Sequence, residues 1–213
     1  MNDENKKPDP LSAQFLIAEF QETNQEYRRR KEEGLSRLNF FIALTTTVWG
    51  GVIALNEFSS IDILTWQAIS IGALIFLLAV GWEFHHYSIK RGISTDEIVR
   101  AMARIRRYFV DHDPSILPYL TWKTDDEPTI LLLANRSKIR RTTAMIESLN
   151  AGILLWFILN LIQANWLVRI IVAILGYFVV FQVLKAFAQH EYEKANLEVE
   201  EKSILFPYKA SSP

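Results

Sequence analysis

Several groups of residues in this chain are of types that do chemistry, and each has a plainer use beside it. His85-His86 sets two imidazoles side by side, a pair that could ligate a metal or titrate near neutral pH. Neighbouring helical positions point about 100° apart, so the two rings share no face and packing is the better use. Asp111-His112-Asp113 mixes metal-ligand types, yet it stands directly before Pro114, where a helix end and a turn account for it. Asp125-Asp126-Glu127 ahead of Pro128 places negative charge where a helix N-terminus favours it. Asn39, Thr45, Thr46, Thr47, Gln67, Ser70, Asn150, Asn160 and Gln182 are polar groups inside otherwise apolar stretches. Hydrogen bonds between helices are their expected use, with a pore lined by the threonines as the alternative.

The basic residues are the more informative feature. Arg100, Arg104 and Arg107 fall on one helix face, and Arg136, Lys138, Arg140 and Arg141 form a second cluster. One use is contact with anionic headgroups, worth about 1 kcal/mol per cation near the surface. Another is pairing with the acidic tail or with the Glu-rich first helix. Nucleotide or nucleic-acid binding is disfavoured, because no glycine-rich phosphate loop accompanies these residues and few aromatics interleave them. There is no cysteine, and no G-x-S-x-G, H-E-x-x-H or Walker motif. The expectation is a protein that is not an enzyme, with no cofactor, no metal and no nucleic-acid partner.

The elements that hold these residues are set by hydropathy. Ile63–Trp82 is a run without Asp, Glu, Lys or Arg, and as a helix it covers about 30 Å, the thickness of a hydrocarbon core. Three further stretches read the same way. The spans are 38–56, 63–82, 149–163 and 166–187, which pair through short connectors into two transmembrane helical hairpins. Charge is segregated between them: of 23 Lys+Arg, all but Arg169 fall in residues 1–37, 83–147 and 185–213. By the positive-inside rule both termini and the middle segment are cytoplasmic, in the cell (inner) membrane. Trp49, Trp66, Trp82 and Trp166 lie near span ends, where indole rings favour the headgroup zone. The polar N-terminus has no signal-peptide pattern.

Outside the spans, residues 1–10 read as a disordered tail. Residues 11–37 read as a cytosolic helix with a mild break at Gly34. A helix running on from the second span stops at Gly92, and Ser94 with Glu97 reads as a capping box opening another. In that helix Ile98, Met102, Ile105 and Phe109 share one face and form the predicted interaction surface. After a Pro- and Asp-rich loop, a helix starting at Pro128 leads toward the third span. The tail, 188–213, begins as a helix.

The run Glu26–Gly51, EYRRRKEEGLSRLNFFIALTTTVWGG, resembles a pattern in small uncharacterised bacterial four-helix membrane proteins, where a Glu-Tyr-x-x-x-Arg helix leads into a Thr- and Gly-containing span. The layout is also loosely similar to bacterial membrane effectors that tie a helical hairpin to a cytosolic helical sensor. The resemblance brings no catalytic residues. The expectation is an all-α polytopic membrane protein with a helical cytosolic portion, acting as an oligomeric structural or signalling module. Its partners are the lipid bilayer, copies of itself and an unknown cytosolic protein. The alternative is a homo-oligomeric channel or membrane-perturbing effector, with Thr45, Thr46, Thr47, Gly50 and Gly51 on a central path.

Overall fold

The structure, a computed structural model, describes residues 10–58, 60–122, 124 and 137–205, with side chains up to 57 in the first stretch and up to 198 in the last. Among them the chain is helical and contains no strand. Four long helices make the fold: α1 (Pro10–Phe58), α2 (Ile63–His112), α3 (Lys138–Leu161) and α4 (Trp166–Leu205). All four are long and apolar enough to cross a membrane. A short 3-10 turn, Pro114–Tyr119, follows α2.

Capping and turn chemistry set the helix ends. Asp62 opens α2, its carboxylate accepting from the Thr65 N–H at 3.0 Å and from the Thr65 hydroxyl at 2.6 Å. Ser137 caps α3 by accepting from the Arg140 N–H. Asp113 ends α2 and opens the 3-10 turn, its carboxylate accepting from the Ser115 N–H at 3.1 Å. Between α3 and α4 the chain reverses at Gln163, which takes the left-handed conformation at φ 53°. Arg169 ties this turn together: its Nε donates to the Ala164 carbonyl at 2.7 Å, and a second nitrogen donates to the Asn160 side chain.

The two glycines read as interruptions are not interruptions. α1 runs unbroken through Gly34, and α2 runs unbroken through Gly92 and Ser94. A Cβ at Gly34 would collide with the Arg91 guanidinium, and one at Gly92 would collide with the Tyr192 hydroxyl. Both glycines are holes for a long side chain from another helix. A glycine in a helix interior costs about 1 kcal/mol relative to alanine, and here the packing it permits offsets that. The expected cap residues have helix-interior roles. Ser94 accepts from Arg30, and the Thr95 hydroxyl donates back to the Arg91 carbonyl at 2.8 Å.

The helices pack as a sequence of neighbours, α1 on α2, α2 on α3 and α3 on α4, with lighter contact between α2 and α4 and between α1 and α3. Near the middle of α2, Ile89 meets Ala188 and Tyr192 of α4 in a buried apolar cluster. Phe41 stacks on Phe84 with ring centres 5.4 Å apart, joining α1 to α2. Two indoles hydrogen-bond within the bundle. Trp66 Nε1 donates to the Val52 carbonyl at 2.9 Å, and Trp49 Nε1 donates to Asn150 Oδ1 at 3.1 Å.

Candidate functional site

The interior of this bundle is polar for its position. Along α2 the buried residues are Gln67, Ser70, Leu74, Leu77, Gly81, His85, Ser88, Ile89 and Asp96, recurring at steps of three and four for most of their length. That is the seam of a helix packed by 3.5-residue periodicity. α3 answers with Thr143, Ala144, Glu147, Ser148, Asn150, Ala151 and Gly152. Small and hydroxylated residues let the backbones approach closely and offer hydrogen bonds that lipid cannot. Several hydroxyls close onto their own helix: Ser70 to the Trp66 carbonyl at 2.8 Å, Thr143 to Ile139 at 3.0 Å and Ser148 to Ala144 at 2.7 Å.

Three ionisable groups lie on this seam. Glu147 is 2 % exposed and lies over Gly81, its Cγ 2.6 Å from where a Cβ there would stand, with Phe41 closing the other side. Its Oε1 is buried with no hydrogen-bond partner among the described residues. His85 is equally buried; its Nε2 lies 3.3 Å from the Leu184 carbonyl and its Nδ1 has no partner among the described residues. Asp96 lies about four helical turns beyond the end of the second apolar stretch. Burial pushes its carboxyl up to about 7, against the pull of Arg100 and Arg140.

Around Asp96 three helices converge. Arg140 of α3 lies 5.0 Å over the ring of Tyr192 of α4, whose hydroxyl fills the hole at Gly92 of α2. Burial raises the Tyr192 phenol above its ordinary range, with Arg140 opposing it. The arrangement is a lock: one buried carboxyl, guanidinium groups beside it and a phenol. It joins residues of α2, α3 and α4 within the charged half of the bundle.

The residues singled out by sequence scatter over the structure. Met102 and Ile105 are buried within the single chain, and Ile98 and Phe109 are half-buried. The stripe expected to face a partner therefore faces inward, because a lone apolar stripe on a long helix is covered first by the chain's own helices. Arg107 pairs with Asp111 at 2.8 Å, Arg104 is exposed, and Arg100 stands beside Asp96. Arg140 turns inward, while Lys138 and Arg141 are exposed. Arg136, the acidic run 125–127 and the helix start expected at Pro128 lie outside the described residues. Thr46 donates to its own Ile42 carbonyl at 2.9 Å, and Thr46, Thr47, Gly50 and Gly51 are exposed. A Cβ at Gly50 or Gly51 would meet nothing within 4 Å. Beside this exposed strip the Thr45 hydroxyl is buried, with no hydrogen-bond partner among the described residues.

Asp96 and Glu147 were not among the expected site residues. For Asp96 the available signal was the seam 67, 70, 74, 77, 81, 85, 88 on the same helix, which runs on unbroken past Gly92. A scan against protein-family models, a search of curated proteins and a search of solved structures each found no match.

Proposed function

We propose that this protein is a non-enzymatic, four-span membrane module of the cell membrane that self-associates and couples its membrane bundle to a cytoplasmic helical stalk. In this reading the spans form two hairpins, and both termini and the segment between the second and third spans are cytoplasmic. The segregation of 22 of 23 cations away from the short connectors supports that orientation. The observation that carries the coupling is continuity. α1, α2 and α4 pass from their apolar halves into their charged halves with no break, so each is one rod across both regions.

Self-association is assigned to the far end of the stalk. There Leu11, Phe15 and Ile17 of α1 and Leu117, Tyr119 and Trp122 after α2 are all exposed. Arg106 bridges the two sides of this end, 5.1 Å from the Phe20 ring and 5.9 Å from the Trp122 ring. Large apolar side chains in water, well beyond the spans, favour contact with another protein surface. The test is native mass spectrometry in mild detergent. The wild type is expected as an oligomer, and the double variant Phe15→Asp, Trp122→Ser as a smaller species. A monomeric wild type removes the self-association.

The outward face of α1 favours a second reading, a homo-oligomeric channel. Thr46, Thr47, Gly50 and Gly51 leave a smooth, hydroxyl-bearing strip that a neighbouring copy can approach. Ion flux through liposomes that changes with Thr46→Val supports the channel; an oligomer that never conducts eliminates it.

A further inference from the structure

α3 begins at Lys138, so its first residues stand against the charged halves of α1 and α2. A cleft of about 390 Å³ opens there between α1, α2 and the first residues of α3. Each helix supplies one cation to its wall: Lys31 from α1, Arg91 from α2 and Lys138 from α3. Hydroxyls from Tyr27, Thr95 and Ser137 line it as well, and among the described residues no acidic side chain does.

The three cations are distant in sequence and the fold brings them together. Two carboxylates of α1 near the cleft pair with cations of α1 itself, and Glu33 also acts electrostatically on Arg91. Glu26 pairs with Arg29 at 2.6 Å and with Arg30 at 2.7 Å, and Glu33 lies 3.9 Å from Arg29. Neither Lys31 nor Lys138 makes an ion pair with a described residue. Arg91 is held rigidly: its guanidinium crosses Gly34 and one nitrogen donates to the Arg30 carbonyl at 2.7 Å. A guanidinium has five N–H donors, so the rest stay available. α3 also begins with Lys138, Arg140 and Arg141 and no acidic residue in its first turn. That places positive charge at the helix end where the dipole disfavours it, and an anion in the cleft relieves it.

We propose that this cleft binds a phosphate-bearing anion, a phosphomonoester or diphosphate, as the ligand of the stalk. Three converging cations, the hydroxyls of Tyr27 and Ser137 and a volume within the range of small-molecule sites fit that chemistry. The two sources are a lipid headgroup and a soluble phosphate. Arg91 lies about 13 Å past Trp82 along α2, just outside the headgroup zone and within reach from either side.

The experiment uses the full chain in nanodiscs. One arm titrates inorganic pyrophosphate against protein in phosphatidylcholine discs and reads thermal stability. The other counts phosphatidic acid retained by native mass spectrometry from discs containing it. Each arm compares wild type with Lys31→Gln, Lys138→Gln, the double variant, and Lys90→Gln as an exposed cation outside the cleft. Pyrophosphate protection weakened at least tenfold in the double variant, with Lys90→Gln unchanged, identifies a soluble phosphate. Phosphatidic acid retention lost in the double variant alone identifies a headgroup. Binding in neither arm, or equal loss in Lys90→Gln, overturns the proposal. Both arms read binding directly, so their failure leaves the self-association reading to its own test.

Discussion

α3 and α4 are adjacent, antiparallel and both apolar enough to cross a membrane, yet they do opposite jobs. Over its most apolar window α3 has 39 % of its residues buried and α4 only 6 %. The buried positions of α3 are threonine, serine, asparagine, glutamate, alanine and glycine, with Phe157 the large exception. The exposed positions of α4 are Leu167, Ile171, Ile174, Leu175, Phe178, Val179 and Val183. In water the greasier helix would be the inner one. Here the more polar helix is at the centre, because hydrocarbon gives no drive to hide leucine but leaves an unbonded hydroxyl or amide costly. Hydropathy finds the rods; polar atoms decide which is inside.

This comparison can be attacked where the largest effect is expected, at the contact between α2 and α3. Gly81→Leu forces a side chain into the space filled by Glu147 and Phe41. It should destabilise the bundle by about 3 kcal/mol or more, read as an early melt in detergent by fluorescence-detected size exclusion. An unshifted melt would mean that α2 and α3 do not meet there. Gly92→Ala is next, and its sign is informative. If Gly92 merely interrupted a helix, alanine would stabilise by up to about 1 kcal/mol. Because the Tyr192 hydroxyl fills the hole, alanine should instead destabilise by about 1–3 kcal/mol, with part of that recovered in Gly92→Ala, Tyr192→Phe.

Asp96 sharpens the contrast through pH. An unfolded aspartate titrates near 3.8 and the buried one near 7, so between those values the folded chain holds a proton that the unfolded chain lacks. The contribution of this group to stability therefore falls as pH rises from about 4 to about 7. Asp96→Asn should flatten that slope, gaining on the wild type at pH 8 and converging with it as pH drops towards 4. Thermal melts at four pH values decide it; parallel profiles for the two proteins would show that Asp96 is not held protonated. The smallest effect is expected on the outer helix. Phe178→Leu changes an exposed side chain and should move stability by less than about 0.5 kcal/mol. A larger loss would reveal a neighbour covering α4.

Much of the helical layout was legible, for plain physical reasons. Long uncharged runs bounded by charge mark rods of bilayer length, and Asp62 and the turn near Gln163 bound them through local chemistry. What was misread turned on context that a linear reading does not contain. Gly34 and Gly92 are cheap as breaks and costly inside a helix, and only the presence of Arg91 and Tyr192 opposite them reverses that judgement. The stripe Ile98, Met102, Ile105 and Phe109 was correctly seen as needing cover, but whether its own chain or another supplied it depends on how α2 packs. The cleft at Lys31, Arg91 and Lys138 was invisible, since its members lie on three helices and converge only in space.

The unbroken course of α1 has a mechanical consequence. From Pro10 to Arg37 it extends about 40 Å before its apolar part begins, at 1.5 Å of rise per residue. With no hinge in that length, tilting its apolar end by about 5° would swing the far tip sideways by about 3.5 Å, the scale of a side-chain contact. A small tilt at the apolar end would thus reach the tip magnified, as a pointer magnifies the movement of its pivot.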